Sequence, residues 1–317
     1  MDTNDPDQLG RCDSLFVAPR GEDVLLACPG RIEREAERGR KALVLALFEP
    51  KGTPTVAERC AATLGARYVA AGLVSAADRR AGPEPGLSPE RSREDDAVSL
   101  EATRLLTLAG PRTQAVNVFA PLGLGGSADD LVAYEATVRA FATEPGRNLF
   151  LYEERPEAFV PGAVRTRLAL LGARLPPAAQ RAAEPVSLTR HLWATNEPLR
   201  LRGRAVTLAG RLSRLAAARR RFRQASPWNP LRAFGPRLQP AVHVGDEEAL
   251  ERASAIVEAL LPKDSRGRAR SAERFRRLAA LAAKRLGGVY HAERFWLFLP
   301  SGDGLPEAQH PLELTEA

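Results

Sequence analysis

Over the first half of the chain, short apolar runs alternate with segments of helical spacing. Ser14 to Ala18 (SLFVA), Lys41 to Phe48 (KALVLALF), Arg67 to Ala71, Ala115 to Ala120 (AVNVFA) and Leu149 to Tyr152 (LFLY) are short and almost wholly apolar, so each reads as a buried strand. Between them, Glu22 to Arg38, Val56 to Leu64 and Asp129 to Thr143 read as helices, and glycines at 39 and 65 end the first two. Strand and helix in alternation predict an α/β fold, a mainly parallel sheet flanked by helices.

After Tyr152 the pattern changes. Arg204 to Gln224, Asp246 to Leu261 and Ser271 to Leu286 read as amphipathic helices, with stripes at Leu208, Leu212, Leu215 and Phe222 and at Phe275, Leu278, Ala282 and Leu286. Asp246 suits an N-cap. Phe295 to Leu299 (FWLFL) reads as a last strand, and the Pro- and Gly-rich stretch from Gly82 to Ser92 as an exposed loop. The expected organisation is a tail over 1–12, an α/β core over 13–160, and a more helical part over 161–317 packed on it and ending in a short strand.

Composition narrows the picture. The chain has 317 residues and is 44% hydrophobic, enough for a sizeable core. No apolar run reaches the roughly 18 residues of a membrane span. Met1 to Gly10 lacks the basic start and apolar stretch of a signal peptide, so a cytoplasmic location is the default expectation. Cys12, Cys28 and Cys60 lack metal-type spacing and fit reduced, buried thiols. The histidines, at 191, 243, 291 and 310, form no H-x-x-x-H or H-E-x-x-H pattern, whereas a zinc hydrolase usually draws on two or three.

The net charge is +7, carried almost wholly by Arg, with Lys only at positions 41, 51, 263 and 284. An Arg- and Ala-rich, Lys-poor chain is typical of a GC-rich coding sequence. The densest basic run, Arg219, Arg220, Arg221 and Arg223, reads as a solvated helix face, because no recognised nucleic-acid motif accompanies it. The alternative is a surface for anionic partners.

In open α/β sheets, ligands bind beyond the carboxyl ends of the strands. Two such ends stand out: Ala18-Pro19-Arg20-Gly21-Glu22-Asp23, running into Leu26-Ala27-Cys28-Pro29-Gly30, and Ala120-Pro121-Leu122-Gly123-Leu124-Gly125-Gly126-Ser127-Ala128-Asp129-Asp130. They resemble the two signature segments of the GlcNAc-phosphatidylinositol de-N-acetylase (PIG-L/LmbE-like) family, P-H-P-D-D-E and P-L-G-x-G-G-H-x-D-H. Tyr152-Glu153-Glu154-Arg155-Pro156 is similar to that family's Y-E-D-x-P, and Ala292-Glu293-Arg294-Phe295 to its closing A-E-x-F. The resemblance covers about positions 13 to 160 plus this C-terminal echo, and implies a Rossmann-like fold and metal-assisted amide hydrolysis.

Carried over by position, Arg20 stands at the first ligand His, Glu22 at the general base, Asp23 at the ligand Asp, Ser127 at the assisting His and Asp130 at the last ligand His, while Asp129 keeps its type. A guanidinium is always charged and cannot ligate a cation. Arg20 is therefore expected to replace the metal's charge and to pair with Glu22, Asp23 and Asp130. The implied function is a deacetylase-like protein that holds a small-molecule ligand, an N-acetyl sugar or related amide, with little or no zinc-dependent hydrolysis and no cofactor. The alternative is a deacetylase with an oxygen-rich divalent-metal site built on Asp23 and Asp130, with Glu22 and Asp129. Two plainer readings stay open: the four acidic residues serve only the helix first turns, and Gly123, Gly125 and Gly126 form a tight turn or cradle a phosphate. Ser127 has no neighbouring residue to activate it as a nucleophile.

Overall fold

The computed structural model describes residues 9–52, 55–79, 91–124, 127–155, 157–159, 162–173, 200–201, 204–205, 237–260 and 265–299. Five parallel strands, β1 (Ser14–Ala18), β2 (Ala42–Ala46), β3 (Ala66–Ala70), β4 (Asn117–Pro121) and β5 (Asn148–Tyr152), sit close to the apolar runs that predict them. Two-residue strands β6 (Arg200–Leu201) and β7 (Arg204–Ala205) pair with each other. The long strands β8 (Arg237–Gly245) and β9 (His291–Leu299) are antiparallel additions, giving the sheet order β3-β2-β1-β4-β5-β9-β8. The α/β class follows, and the closing strand is longer than Phe295 to Leu299.

Alternation along the strands divides the core between two faces. Leu15, Val17, Leu43, Val118, Leu151 and Trp296 pack on one side with the long helices α5 (Arg93–Thr113) and α6 (Ala128–Phe141). Phe16, Val44, Phe119, Phe150 and Phe295 face the other, under α1 (Gly21–Ala27), α2 (Pro29–Glu37), α3 (Val56–Thr63) and α8 (Glu247–Leu260). The remaining helices are α4 (Ala76–Arg79), α7 (Ala163–Leu170) and α9 (Ser265–Arg285). Among the described residues, no helix is long and apolar enough to cross a membrane. Cys12, Cys28 and Cys60 are free and buried, as their spacing implies.

Three expectations change. The helix expected over Glu22 to Arg38 is two helices, broken at Cys28 (φ −131°, ψ 33°). Pro29 lacks an amide hydrogen and disfavours a helical residue before it, so the chain stops at Cys28 and restarts with Pro29 in the first turn. α5 has no counterpart in the sequence reading. Ser92 caps it, its Oγ accepting from Asp95 N at 3.2 Å while Asp95 Oδ2 accepts from Ser92 N at 2.8 Å. Arg204–Ala205, expected to open a helix, is instead extended as β7; positions 206–224, with the Leu208 stripe and Arg219–Arg223, lie outside the described residues, as do positions 82–90. By contrast, α8 begins as expected, with Asp246 Oδ1 accepting from Ala249 N at 2.8 Å.

The break at Cys28 leaves free amides at the start of α2, and the far end of the chain supplies their acceptor. Glu293 on β9 takes Gly30 N at 2.7 Å and Arg31 N at 2.8 Å, and its Oε1 lies 2.9 Å from His291 Nε2. Beside it, Glu153 accepts from Arg294 Nε at 2.6 Å and from Trp296 Nε1 at 2.9 Å, and Arg155 donates to the Ala292 carbonyl. The A-E-x-F and Y-E-x-x-P echoes are therefore one contact, between β9 and the end of β5. Glu293→Ala strips two helix amides and His291 of a buried acceptor. It should cost about 3 kcal/mol in urea unfolding, and a loss below about 1 kcal/mol would show that this contact is not structural.

Candidate functional site at the carboxyl edge of the sheet

Because β1 and β4 are hydrogen-bonded neighbours, with Phe16 opposite Phe119, their carboxyl ends deliver the segments after Ala18 and Pro121 to the same edge. Each segment turns at once into a helix. α1 starts after Arg20, whose extended backbone (φ −128°, ψ 153°) places its amide 3.0 Å from Asp23 Oδ2. α6 starts after Ser127, whose Oγ accepts from Asp130 N at 3.1 Å, while Asp130 Oδ2 accepts from Ser127 N at 3.2 Å. Ser127 is thus a helix cap, and Asp23 and Asp130 occupy equivalent places in the two first turns.

These carboxyls satisfy their own helices but repel each other. Burial, then the charge of Asp130, then that of Glu22, push Asp23 well above the usual carboxylate range. Asp130 is also raised, by burial and by Asp129, against the hydrogen bonds from Ser127 and a weaker attraction from Arg20. Two further acids, not among the candidate site residues, stand here. Glu154, just beyond β5, is raised well above its normal value by burial and then by Asp130. Glu157 is raised mainly by burial, with Asp130 adding repulsion. The Y-E-x-x-P echo is the signal that could have placed Glu154 at this edge.

Glu154 also settles the role of one glycine turn. Its carboxylate accepts from Leu122 N at 3.1 Å, Gly123 N at 2.6 Å and Leu124 N at 2.8 Å. The anion cradled by these amides is the protein's own side chain, so they are not free for a phosphate. Gly123 is left-handed (φ +80°), and a Cβ there would lie 2.9 Å from Arg167 Nη2. Arg167 donates from Nε to the Leu122 carbonyl at 2.9 Å and stacks over Tyr134 at 4.7 Å. Gly125 and Gly126 lie outside the described residues.

Arg20 and Asp129 depart from expectation. The Arg20 guanidinium is half exposed and lies 3.8 Å from Glu22 Oε1, and its side chain forms no ion pair with Asp23 or Asp130. Leaving it in water avoids the cost of burying a charge, so it does not supply the edge with the expected internal cation. Asp129 faces another group: it accepts from Ala76 N at 2.9 Å and from Arg79 Nη1 at 2.6 Å, while Arg79 Nε reaches Asp95 at 3.0 Å and the guanidinium lies over Phe48. Asp129 thereby ties α6 to α4 and α5, because a buried carboxylate needs a charged, hydrogen-bonded partner.

Zinc does not fit the residues present. Asp23 and Asp130 each commit an oxygen to a cap, and among the described residues no three His, Cys, Asp or Glu side chains converge in a metal-holding group. The same finding leaves the oxygen-rich set of Glu22, Asp23, Asp129 and Asp130 unassembled. His243 and His291 belong to the neighbourhood of Glu293, and His191 and His310 lie outside the described residues.

Solved structures share this fold. The A40926 pseudoaglycone deacetylase Dbv21 matches at 16% identity over 93% of this chain and 100% of its own, with a TM-score of 0.54. A deacetylase–teicoplanin complex from the teicoplanin biosynthesis pathway matches at 13% identity over 92% and 99%, with a TM-score of 0.58. The zinc-inhibited form of teicoplanin deacetylase Orf2 matches at 13% identity over 92% and 99%, with a TM-score of 0.56. At these identities the likeness is one of fold. No protein-family model and no curated protein sequence matches the chain.

A raised carboxyl pKa is a stability statement. A group whose folded pKa lies above its unfolded value stabilises the fold while protonated, and loses that contribution as pH rises through the folded pKa. Once ionised, Asp130 is therefore a liability. Asp130→Asn keeps an oxygen for Ser127 N and removes the repulsion, so it should stabilise the protein by about 1 kcal/mol at pH 7.5 and make little difference near pH 4. Urea titrations at the two pH values check this. Equal destabilisation at both would mean that capping outweighs the repulsion.

Proposed function

We propose that the protein is a ligand-binding member of the PIG-L/LmbE-like group, holding an N-acetyl sugar or similar amide at the carboxyl edge between α1 and α6, with little or no zinc-dependent hydrolysis. The observation that carries this reading is the Asp23–Asp130 pair. Burial and the charge of Asp130 raise Asp23 well above the usual carboxylate range, and burial raises Asp130, so the two hold a proton more readily than exposed carboxyls would. One then donates and the other accepts, which matches the carbonyl and N–H of a secondary amide. The fold shared with deacetylases of teicoplanin and of the A40926 pseudoaglycone supports a sugar-type ligand at this edge. Against turnover stands the donor set: neither nitrogen ligand of the family pattern is present, and Glu22, at the base position, lies beside Arg20.

The test combines zinc titration, acetate release from simple N-acetyl sugars, and calorimetric binding of N-acetylglucosamine. The unmodified chain should bind the sugar, bind no stoichiometric zinc and release no acetate. Asp23→Asn combined with Asp130→Asn should weaken the sugar by about tenfold. Arg20→His combined with Asp130→His returns two nitrogen ligands beside Asp23, and zinc affinity should rise by at least about 100-fold. Metal-dependent deacetylation by the unmodified chain would overturn the reading, and so would sugar binding indifferent to the Asp pair.

A further inference from the structure

The chain stays beside the exit of β1 after β2 ends. Leu47 N donates to the Ala18 carbonyl at 2.9 Å and Phe48 N to the Pro19 carbonyl at 2.9 Å. The next residue, Glu49, therefore arrives next to Arg20 and Gly21, where α1 begins. Glu49 Oε1 accepts from Gly21 N at 2.8 Å, and its Oε2 accepts from the Tyr68 hydroxyl. Tyr68 stands on β3, opposite Val44, and packs with Val24 and Leu25 of α1 on the same face of the sheet.

Gly21 is fitted to this pair. A Cβ there would lie 2.5 Å from Tyr68 Cε2 and 2.8 Å from Cζ, too close for any side chain. Burial and the Glu49 carboxylate raise the Tyr68 pKa, so the hydroxyl keeps its proton and donates near neutral pH. α1 has only seven residues, too few to hold its place by helix propensity, so tertiary contacts at its ends set its orientation. In its first turn two carboxylates grip adjacent amides: Glu49 takes Gly21 N, and Asp23 takes Arg20 N at 3.0 Å. The charge of Asp130 acts on that same Asp23.

We propose that Glu49 is the positioning residue of the carboxyl edge: held by Tyr68, it fixes the start of α1 and so the angle at which Asp23 is presented to Asp130. It acts through the Gly21 backbone rather than by contact with a ligand. Its effect on binding rests on the reading of this edge as the ligand site; its effect on α1 does not.

The experiment compares Glu49→Ala, Glu49→Gln and Tyr68→Phe in the full chain, with melting curves to establish folding. Amide hydrogen exchange by NMR reports on α1 without any ligand. Glu49→Ala should speed exchange at least about tenfold at Gly21 and also at Arg20, whose acceptor is Asp23. Glu49→Gln keeps an oxygen for Gly21 N and should restore both to within about threefold. Calorimetry with N-acetylglucosamine then tests the consequence. Glu49→Ala should weaken the sugar about tenfold in the unmodified chain but less than about twofold in an Asp23→Asn background, since the two act as one unit. Should Glu49→Ala fold poorly, Tyr68→Phe removes only the hydroxyl and carries the same comparison, with losses of about threefold. The proposal fails if exchange at Arg20 is unchanged in the folded variants, if Glu49→Gln is no better than Glu49→Ala, or if the costs of Glu49→Ala and Asp23→Asn simply add. A chain that binds no sugar refutes the ligand site instead, and exchange at Arg20 and Gly21 still decides whether Glu49 positions Asp23.

Discussion

A buried carboxylate holds the two ends of this chain together. Glu293 is 1% exposed and would be untenable there if left alone. It is tolerated because the first amides of α2 point at it, and those amides are free because Pro29 forces the break at Cys28. Burial drives its pKa upward, but His291, His243 and Arg155 outweigh that and the net shift is downward. This contact ties the start of α2 to β9 across the sheet.

At the opposite site the same physics conflicts with itself. A helix N-terminus favours an acidic residue in its first turn, and α1 and α6 each have one. Strand order then sets the two N-termini side by side, and Glu154 and Glu157 add two more acids to the edge. Local capping and tertiary repulsion pull against each other, and the raised pKa values record the result.

The arginines change meaning between sequence and structure. Their abundance suggests base composition and solvated helix faces, yet Arg31, Arg155 and Arg167 are buried and Arg79 is nearly so. Each lies over an aromatic ring, at Phe119, Phe159, Tyr134 and Phe48 in turn. Lysine could not replace them, because a compact, strongly hydrated ammonium neither stacks flat nor reaches carbonyl and carboxylate partners in a fixed fork.

The five parallel strands, the two turns at the carboxyl edge and the cap residue Asp246 were legible in the sequence because each depends on neighbours within a few positions, whereas β8 and the capping role of Ser127 were not. The turns after β1 and β4 therefore carry Arg20, Glu22, Asp23, Ser127 and Asp130 to one edge of the sheet. What the sequence could not decide was which way each charge turns. Asp129 differs from Asp130 by one position, about 100° around a helix, and that rotation takes it to Arg79 rather than toward Asp23. Arg20 stays in water beside Glu22, and Glu154 joins the edge from β5, the strand next to β4. Local pattern determines the elements because hydrophobic periodicity and capping act over a few residues. Charge pairing is decided by the tertiary structure, because burial and the approach of groups distant in sequence set the cost of each ionised side chain.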